Sequence, residues 1–133
     1  MKGGELEASY LRGDWQFGAA ISVVDGVDQD DQILNSLPND RAVLSTSWHA
    51  SESWKIGARS ILSKGRDKPD GSRRVGYGVH DIYAIWAPAG GALEGIRVNL
   101  GVDNLTGRDY TPATYQTGPA PGRNYKILLS RHF

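Results

Sequence analysis

Seven stretches of this chain alternate apolar and polar residues with period two, and helical periodicity is poor throughout. Period two is the spacing of a strand, because successive side chains leave opposite faces of a sheet. The stretches are Glu5–Leu11, Trp15–Val24, Arg41–Ala50, Trp54–Leu62, Tyr77–Ala87, Ile96–Asn104 and Asn124–Phe133. The chain is therefore read as all-β, an antiparallel up-and-down meander of about seven strands. Most of these stretches approach the 9–11 residues that a tilted membrane strand needs.

The connections between them alternate in length. Arg12-Gly13-Asp14, Ser51-Glu52-Ser53 and Pro88–Gly95 are short, whereas Asp25–Asp40, Ser63–Gly76 and Leu105–Arg123 are long. The long ones are rich in Asp, Gly, Pro, Asn and Ser, which is turn and loop chemistry. Strict alternation sends every long loop to one side of the sheet. A barrel crossing an outer membrane has this layout, with short periplasmic turns and long outer loops.

Alternation does not by itself say which face meets lipid. In the sixth stretch Ile96, Val98, Leu100 and Val102 share one face, and Arg97, Asn99, Gly101 and Asp103 the other. Aromatic residues decide the matter. Tyr10, Trp15, Trp48, Trp54, Trp86 and Phe133 all lie beside a short connection or the last residue, on the apolar parity of their strands. A ring of such side chains at one level is expected to be a membrane-interface girdle, where an amphipathic ring meets the headgroups. Arg131 has the same outward parity. At the bilayer midplane it would cost roughly 2–4 kcal/mol, and about 0–1 near the interface, where its stem can snorkel.

Composition removes several classes of function. Lys plus Arg and Asp plus Glu both number 15, so no nucleic-acid partner is expected. The absence of Cys removes disulfides and thiolate chemistry. No apolar run reaches a membrane helix, which does not bear on membrane strands. Met1–Glu5 opens no signal peptide. Neither a nucleophile elbow nor a phosphate-binding Gly loop occurs, so no enzyme is expected. No cofactor is expected either. His49, His80 and His132 lack a second ligand at metal spacing and are read as surface residues, with no metal site. Asp25, Asp28, Asp30 and Asp31 lack the calcium-loop spacing and are read as a solvated loop. Lys64, Arg66, Lys68, Arg73 and Arg74 make the second long loop basic, a charged loop first and a surface for lipopolysaccharide phosphates or an anionic ligand second. Tyr110, Tyr115 and Gln116 in the last long loop are candidate ligand contacts, from their position alone.

Seven strands are too few and odd in number for a bacterial barrel, and an open sheet in lipid would leave its edges unsatisfied. The chain is thus expected to be a fragment whose remaining strands come from an upstream part of the same polypeptide. The last third carries a family resemblance. Asp81-Ile82-Tyr83-Ala84-Ile85-Trp86-Ala87-Pro88 looks like the antepenultimate strand of TonB-dependent receptors. Asp103, Asn104, Leu105 and Tyr110 fall in a stretch that resembles their glycine-valine-asparagine-leucine-tyrosine signature, and Pro121, Gly122 and Arg123 resemble the lead-in to their final strand. Gly4–Tyr10 is similar to a mid-barrel strand of the same family.

That resemblance implies the C-terminal part of a transmembrane barrel of about 22 strands around an N-terminal plug. It implies a place in the outer membrane of a Gram-negative cell, among its lipids. It also implies active uptake of an iron-containing ligand, haem or a siderophore, with TonB engaging a plug that these residues do not include. Residues 104–110 and 122–125 look closest to haem and haemophore receptors. Two other readings stand beside it: a soluble lipocalin-like binding barrel, and a passive porin-type or adhesin barrel.

Overall fold

The computed structural model describes residues 2–26, 37–68, 71–112 and 118–132. Seven long strands form one sheet: β1 (Lys2–Arg12), β2 (Trp15–Asp25), β3 (Arg41–Ser51), β4 (Trp54–Ser63), β7 (Tyr77–Trp86), β8 (Ile96–Asp103) and β9 (Asn124–Arg131). A two-stranded ribbon, β5 (Arg66–Asp67) with β6 (Arg73–Arg74), lies within the second long loop. Spatial order follows chain order, β1-β2-β3-β4-β7-β8-β9, and every pairing is antiparallel. The fold is the expected meander. Its strand limits differ from the sequence reading by three residues at most, and among the described residues the ribbon is the element that reading missed.

Register carries the alternation across the sheet. Tyr10, Phe17, Thr46, Ala58, Ile82, Val102 and Tyr125 lie in one cross-strand row. The row toward the long loops is Leu6, Ile21, Ala42, Leu62 and Gly78, two positions further along each strand than Ala8, Ala19, Leu44, Ser60 and His80. All these side chains share one face because a strand repeats every second residue. The opposite face carries Glu5, Glu7, Arg41, Arg59, Asp81, Asn99, Gly101 and Lys126.

Burial separates the faces. The apolar face is bare: Leu6 is 69% exposed and Ile127 79%, and Ile21, Leu44, Ile56, Leu62 and Leu100 are also exposed. Ser47, Ser63, Val79 and Asp81, the buried residues within the strands other than glycine, all sit on the polar face, as on the hollow side of a curled sheet. Leu37 and Val79 are the only buried apolar residues among those described. A soluble barrel would hide its apolar rows in a closed core. This sheet turns them outward, and among the described residues its edge strands, β1 and β9, are each paired on one side only.

Two glycines sit where a Cβ would collide with a neighbour. Gly57 lies opposite Tyr83, and any Cβ at Gly57 would strike the Tyr83 ring, so that ring lies flat across the wall. Gly95 has a positive φ of 81° and accepts the His132 N–H at 2.9 Å, which closes the connection between β7 and β8 against the end of β9.

Candidate functional site: a braced loop and a two-faced wall

The signature residues converge at the outer end of β8. Asn104 ends that strand with φ +49°, a left-handed conformation that Asn tolerates better than most residues. It is only 3% exposed. Its side-chain amide pairs with one backbone position as a second strand would: Oδ1 accepts the Arg108 N–H at 2.8 Å, and Nδ2 donates to the Arg108 carbonyl at 2.8 Å. Nδ2 also donates to the Pro121 carbonyl at 3.4 Å, across the loop. The Gly107 N–H closes the turn on the Asn104 carbonyl at 2.8 Å.

Further bonds tie both arms of the loop together. Arg123 Nε donates to the Leu105 carbonyl at 2.9 Å, and the Ala120 N–H donates to the Tyr110 carbonyl at 2.8 Å. The Tyr110 ring packs on Tyr77, with centroids 4.3 Å apart and planes at 34°. Burial raises the Tyr110 phenol above its usual value of 10.0, and Tyr77, Asp81 and Asp103 push it the same way against Arg59. Asp103 forms an ion pair with Lys126 on β9. Gly122 is exposed, with nothing near its backbone that a Cβ would meet.

Two residues outside the predicted set anchor this brace. Asp81 on β7 is 8% exposed and accepts the Asn104 N–H at 2.9 Å through Oδ1. Its Oδ2 accepts Arg59 Nη2 at 2.7 Å and Nε at 3.1 Å. Leu105 N–H donates to the His80 carbonyl at 2.7 Å, extending the β7–β8 pairing past the end of β8. Asp81 opened the quoted family stretch, and being the sole acid of its strand was the signal available. Arg59 gave none, because the two lie on different strands and meet only through register.

The aromatic residues gather at the opposite end, beside the short connections. Trp15 stacks on Trp48 with centroids 5.5 Å apart and planes at 10°. Trp15 also stacks on Phe17 at 5.9 Å, and Phe17 on Tyr10 at 6.5 Å. Trp54 and Trp86 face each other across β4 and β7 at 6.4 Å. Phe17 was missed as a member of this row, although its parity was legible. Arg131 lies opposite Ile96 on the apolar face, at the same end of the sheet. Phe133, Tyr115, Gln116, Asp28, Asp30 and Asp31 lie outside the described residues.

The basic second loop is knitted into its neighbours. Arg66 donates to the Val24 carbonyl and to Asp40 Oδ1 at 3.4 Å, and Asp40 Oδ1 accepts the Val24 N–H at 3.3 Å. Together Asp40 and Arg66 satisfy the backbone of β2 where β3 no longer pairs with it. Arg74 donates to the Leu37 carbonyl at 2.9 Å and to Asn39 Oδ1 at 3.1 Å. Arg73 pairs with Asp67 at 3.3 Å. Among the histidines, His80 Nδ1 bonds with Ser60 Oγ at 2.9 Å. Among the described residues no group of three or more His, Cys, Asp or Glu is placed to hold a metal.

Comparison with known proteins agrees with this architecture. Residues 1–105 match the family described as TonB dependent receptor-like, beta-barrel. The chain is 26% identical over its full length to a TonB-dependent heme receptor A of Haemophilus ducreyi, of which it spans 21%. It is 38% identical over 58 residues to a TonB-dependent heme receptor A of Haemophilus influenzae, 44% of this chain and 8% of that protein. The chain thus spans about a fifth of the first relative and less of the second. Among solved structures it is similar to the copper transporter OprC, with TM-score 0.85 and 24% identity over 98% of this chain and 23% of that one. The FrpB iron transporter of Neisseria meningitidis (F3-3 variant) gives TM-score 0.71 and 23% identity over 92% of this chain and 22% of that one. At those identities the structures speak to fold alone. These relatives are named as receptors and transporters, and none as an enzyme. With its two-faced meander, braced loop and matched residues 1–105, the chain belongs to the TonB-dependent receptor-like β-barrel family and is an outer-membrane barrel segment of a Gram-negative bacterium.

Proposed function

We propose that these strands form the C-terminal wall of a receptor that takes up an iron-containing ligand, with haem ahead of a siderophore. The observation that carries the choice of haem is the match along the whole chain to a protein named as a heme receptor. The full barrel has about 22 strands in this reading, so further strands pair with the free edges of β1 and β9. Energy comes from TonB acting on a plug contributed by other residues, and the chain itself performs no catalysis and holds no cofactor.

Two parts of this wall divide the work. Tyr10, Trp15, Trp48, Trp54, Trp86 and Phe133 form the periplasmic interface girdle and fix the height of the barrel in the lipid. Asp103, Asn104, Leu105, Tyr110, Pro121, Gly122 and Arg123 frame the two described arms of the last outer loop, which bonds from Asn104, Arg123 and Ala120 tie together, and in this reading Tyr110, Tyr115 and Gln116 meet the ligand. A loop braced in this way loses less entropy on binding than a free one.

Growth separates the ligands. The full-length protein carrying these strands is expressed in a host lacking its own haem and siderophore receptors, with iron supplied only as haem or as a ferric siderophore. Growth on haem that disappears when TonB is deleted supports the reading. Growth on a siderophore alone moves the ligand. Growth that persists without TonB removes active uptake in favour of a passive pore.

A further inference from the structure

The polar face of β7 runs inward from the braced loop. Tyr77, on which Tyr110 packs, is followed on that face by Val79, Asp81 and Tyr83. The Tyr110 phenol feels the charges of Asp81, Asp103 and Arg59, so the fixed end of the loop stands over this wall. From Tyr77 to Tyr83 the strand advances about 20 Å.

Beside Tyr83 the wall has a hollow of about 540 Å³, bordered by Arg59, Tyr83, Asn99, Asp103 and Lys126. Its floor is Gly101, the cross-strand partner of both Tyr83 and Lys126. The Tyr83 ring lies the other way, over Gly57, so the floor stays open. Hydrogen-bonding capacity around the hollow is one-sided. Asp81 spends Oδ1 on the Asn104 N–H and Oδ2 on Nε and Nη2 of Arg59. Asp103 is paired with Lys126. Asn99 Oδ1 accepts Arg97 Nε at 3.3 Å, so its amide nitrogen is the end that remains. The cations stand further out than the acids: the Arg59 and Lys126 side chains are 53% and 59% exposed, against 11% and 37% for Asp81 and Asp103. The rim therefore offers donors to the lumen, and its acids already have partners.

We propose that this hollow is a station inside the barrel for a carboxylate of the transported ligand, met by Arg59 and Lys126. A carboxylate accepts from guanidinium, ammonium and amide together, and charge-assisted bonds of this kind are the strong ones. Continuity selects the ligand over a protein side chain, because the hollow lies on the same wall as Tyr110, the candidate outer contact, and further in. The proposal rests on the uptake reading above and adds a chemical class to it: ligands that carry carboxylates, haem among them, pass this wall faster than analogues whose carboxylates are blocked.

The test uses the full-length receptor in intact cells, with haem and with haem dimethyl ester, whose carboxylates are blocked. Affinity at the outer surface is measured with TonB deleted, and the initial uptake rate with TonB present. Lys126→Gln removes the ammonium. Gly101→Leu fills the floor without changing charge, and a Cβ there meets nothing closer than the Ile82 carbonyl at 3.7 Å. Each variant is expected to slow haem uptake severalfold at unchanged outer-surface affinity, with Lys126→Arg restoring most of the rate. The ester should enter the parent more slowly than haem does, and the variants no more slowly than the parent. Unchanged haem uptake in both variants overturns the proposal. An equal loss with the ester also overturns it, since the hollow would then be a packing surface for another protein segment. A parallel loss of outer-surface affinity overturns it too, because Lys126 and Gly101 would then be supports of the loop brace. A parent that imports neither compound refutes the uptake reading and this proposal with it, whereas a parent that imports haem at the same rate as its variants refutes this proposal alone.

Discussion

At the scale of single residues, Asn104 accounts for the place where β8 becomes a loop. Its backbone needs φ +49°, and its amide supplies both partners of Arg108 and a bond to Pro121. Asn104→Gly keeps the backbone freedom and loses the side-chain bonds, at roughly 0.5–1.5 kcal/mol each. Asn104→Ala loses the same bonds and adds the left-handed penalty of roughly 1–2 kcal/mol. Urea unfolding of the reconstituted receptor should rank parent above Gly above Ala, with faster proteolysis between residues 104 and 123 in both variants. The neighbouring Tyr110 adds a pH dependence. Its folded phenol titrates above the ordinary value of 10.0, chiefly through burial. A raised value means that the contribution is fully present below about pH 10 and is lost as pH rises through the folded value. Alkaline titration monitored by phenolate absorbance should therefore show the loop loosening as Tyr110 ionises, and Tyr110→Phe should remove that step. The motif itself was legible in the sequence, but its mechanism was not. Asp81 and Arg59 are 22 residues apart and come together only through the β4–β7 register.

At the scale of elements, strand limits were readable because the strands keep one parity along their length, apart from the register shift between His49 and Ser51 at the end of β3. The β5–β6 ribbon escaped because two-residue strands have no periodicity to detect. Its position depends instead on Arg66 reaching Val24 and Asp25 at the end of β2 and Asp40 just before β3. For the same reason the basic loop reads from sequence as free charge, although much of that charge is engaged. The aromatic end of the sheet was legible by parity, whereas the pairing of its rings followed only from register. Trp15 and Trp48 stack because they are direct cross-strand partners. Trp48→Leu keeps an apolar surface but removes both the stack and the indole N–H. It should cost about 0.5–1.5 kcal/mol in reversible folding into phospholipid vesicles. The cost should shrink in a Trp15→Leu background, where no stack remains to lose; equal costs in both backgrounds would show that the stack contributes nothing.

At the scale of the whole molecule, the physical problem is an open sheet with its apolar residues on the bare face. In water such a face would drive aggregation through the free edges of β1 and β9. In a closed barrel the same face meets lipid, the edges find neighbours, and Glu5, Glu7, Arg59 and Lys126 line a wet interior. The membrane placement of the sheet rests on that orientation. It is tested most directly along β8, with single cysteines from Ile96 to Asp103 in the full-length receptor, spin-labelled after reconstitution into vesicles. Labels at Val98, Leu100 and Val102 should be relaxed by oxygen dissolved in the bilayer, and those at Arg97, Asn99, Gly101 and Asp103 by a water-soluble nickel complex. A reversed pattern, or no alternation along the strand, would contradict the account.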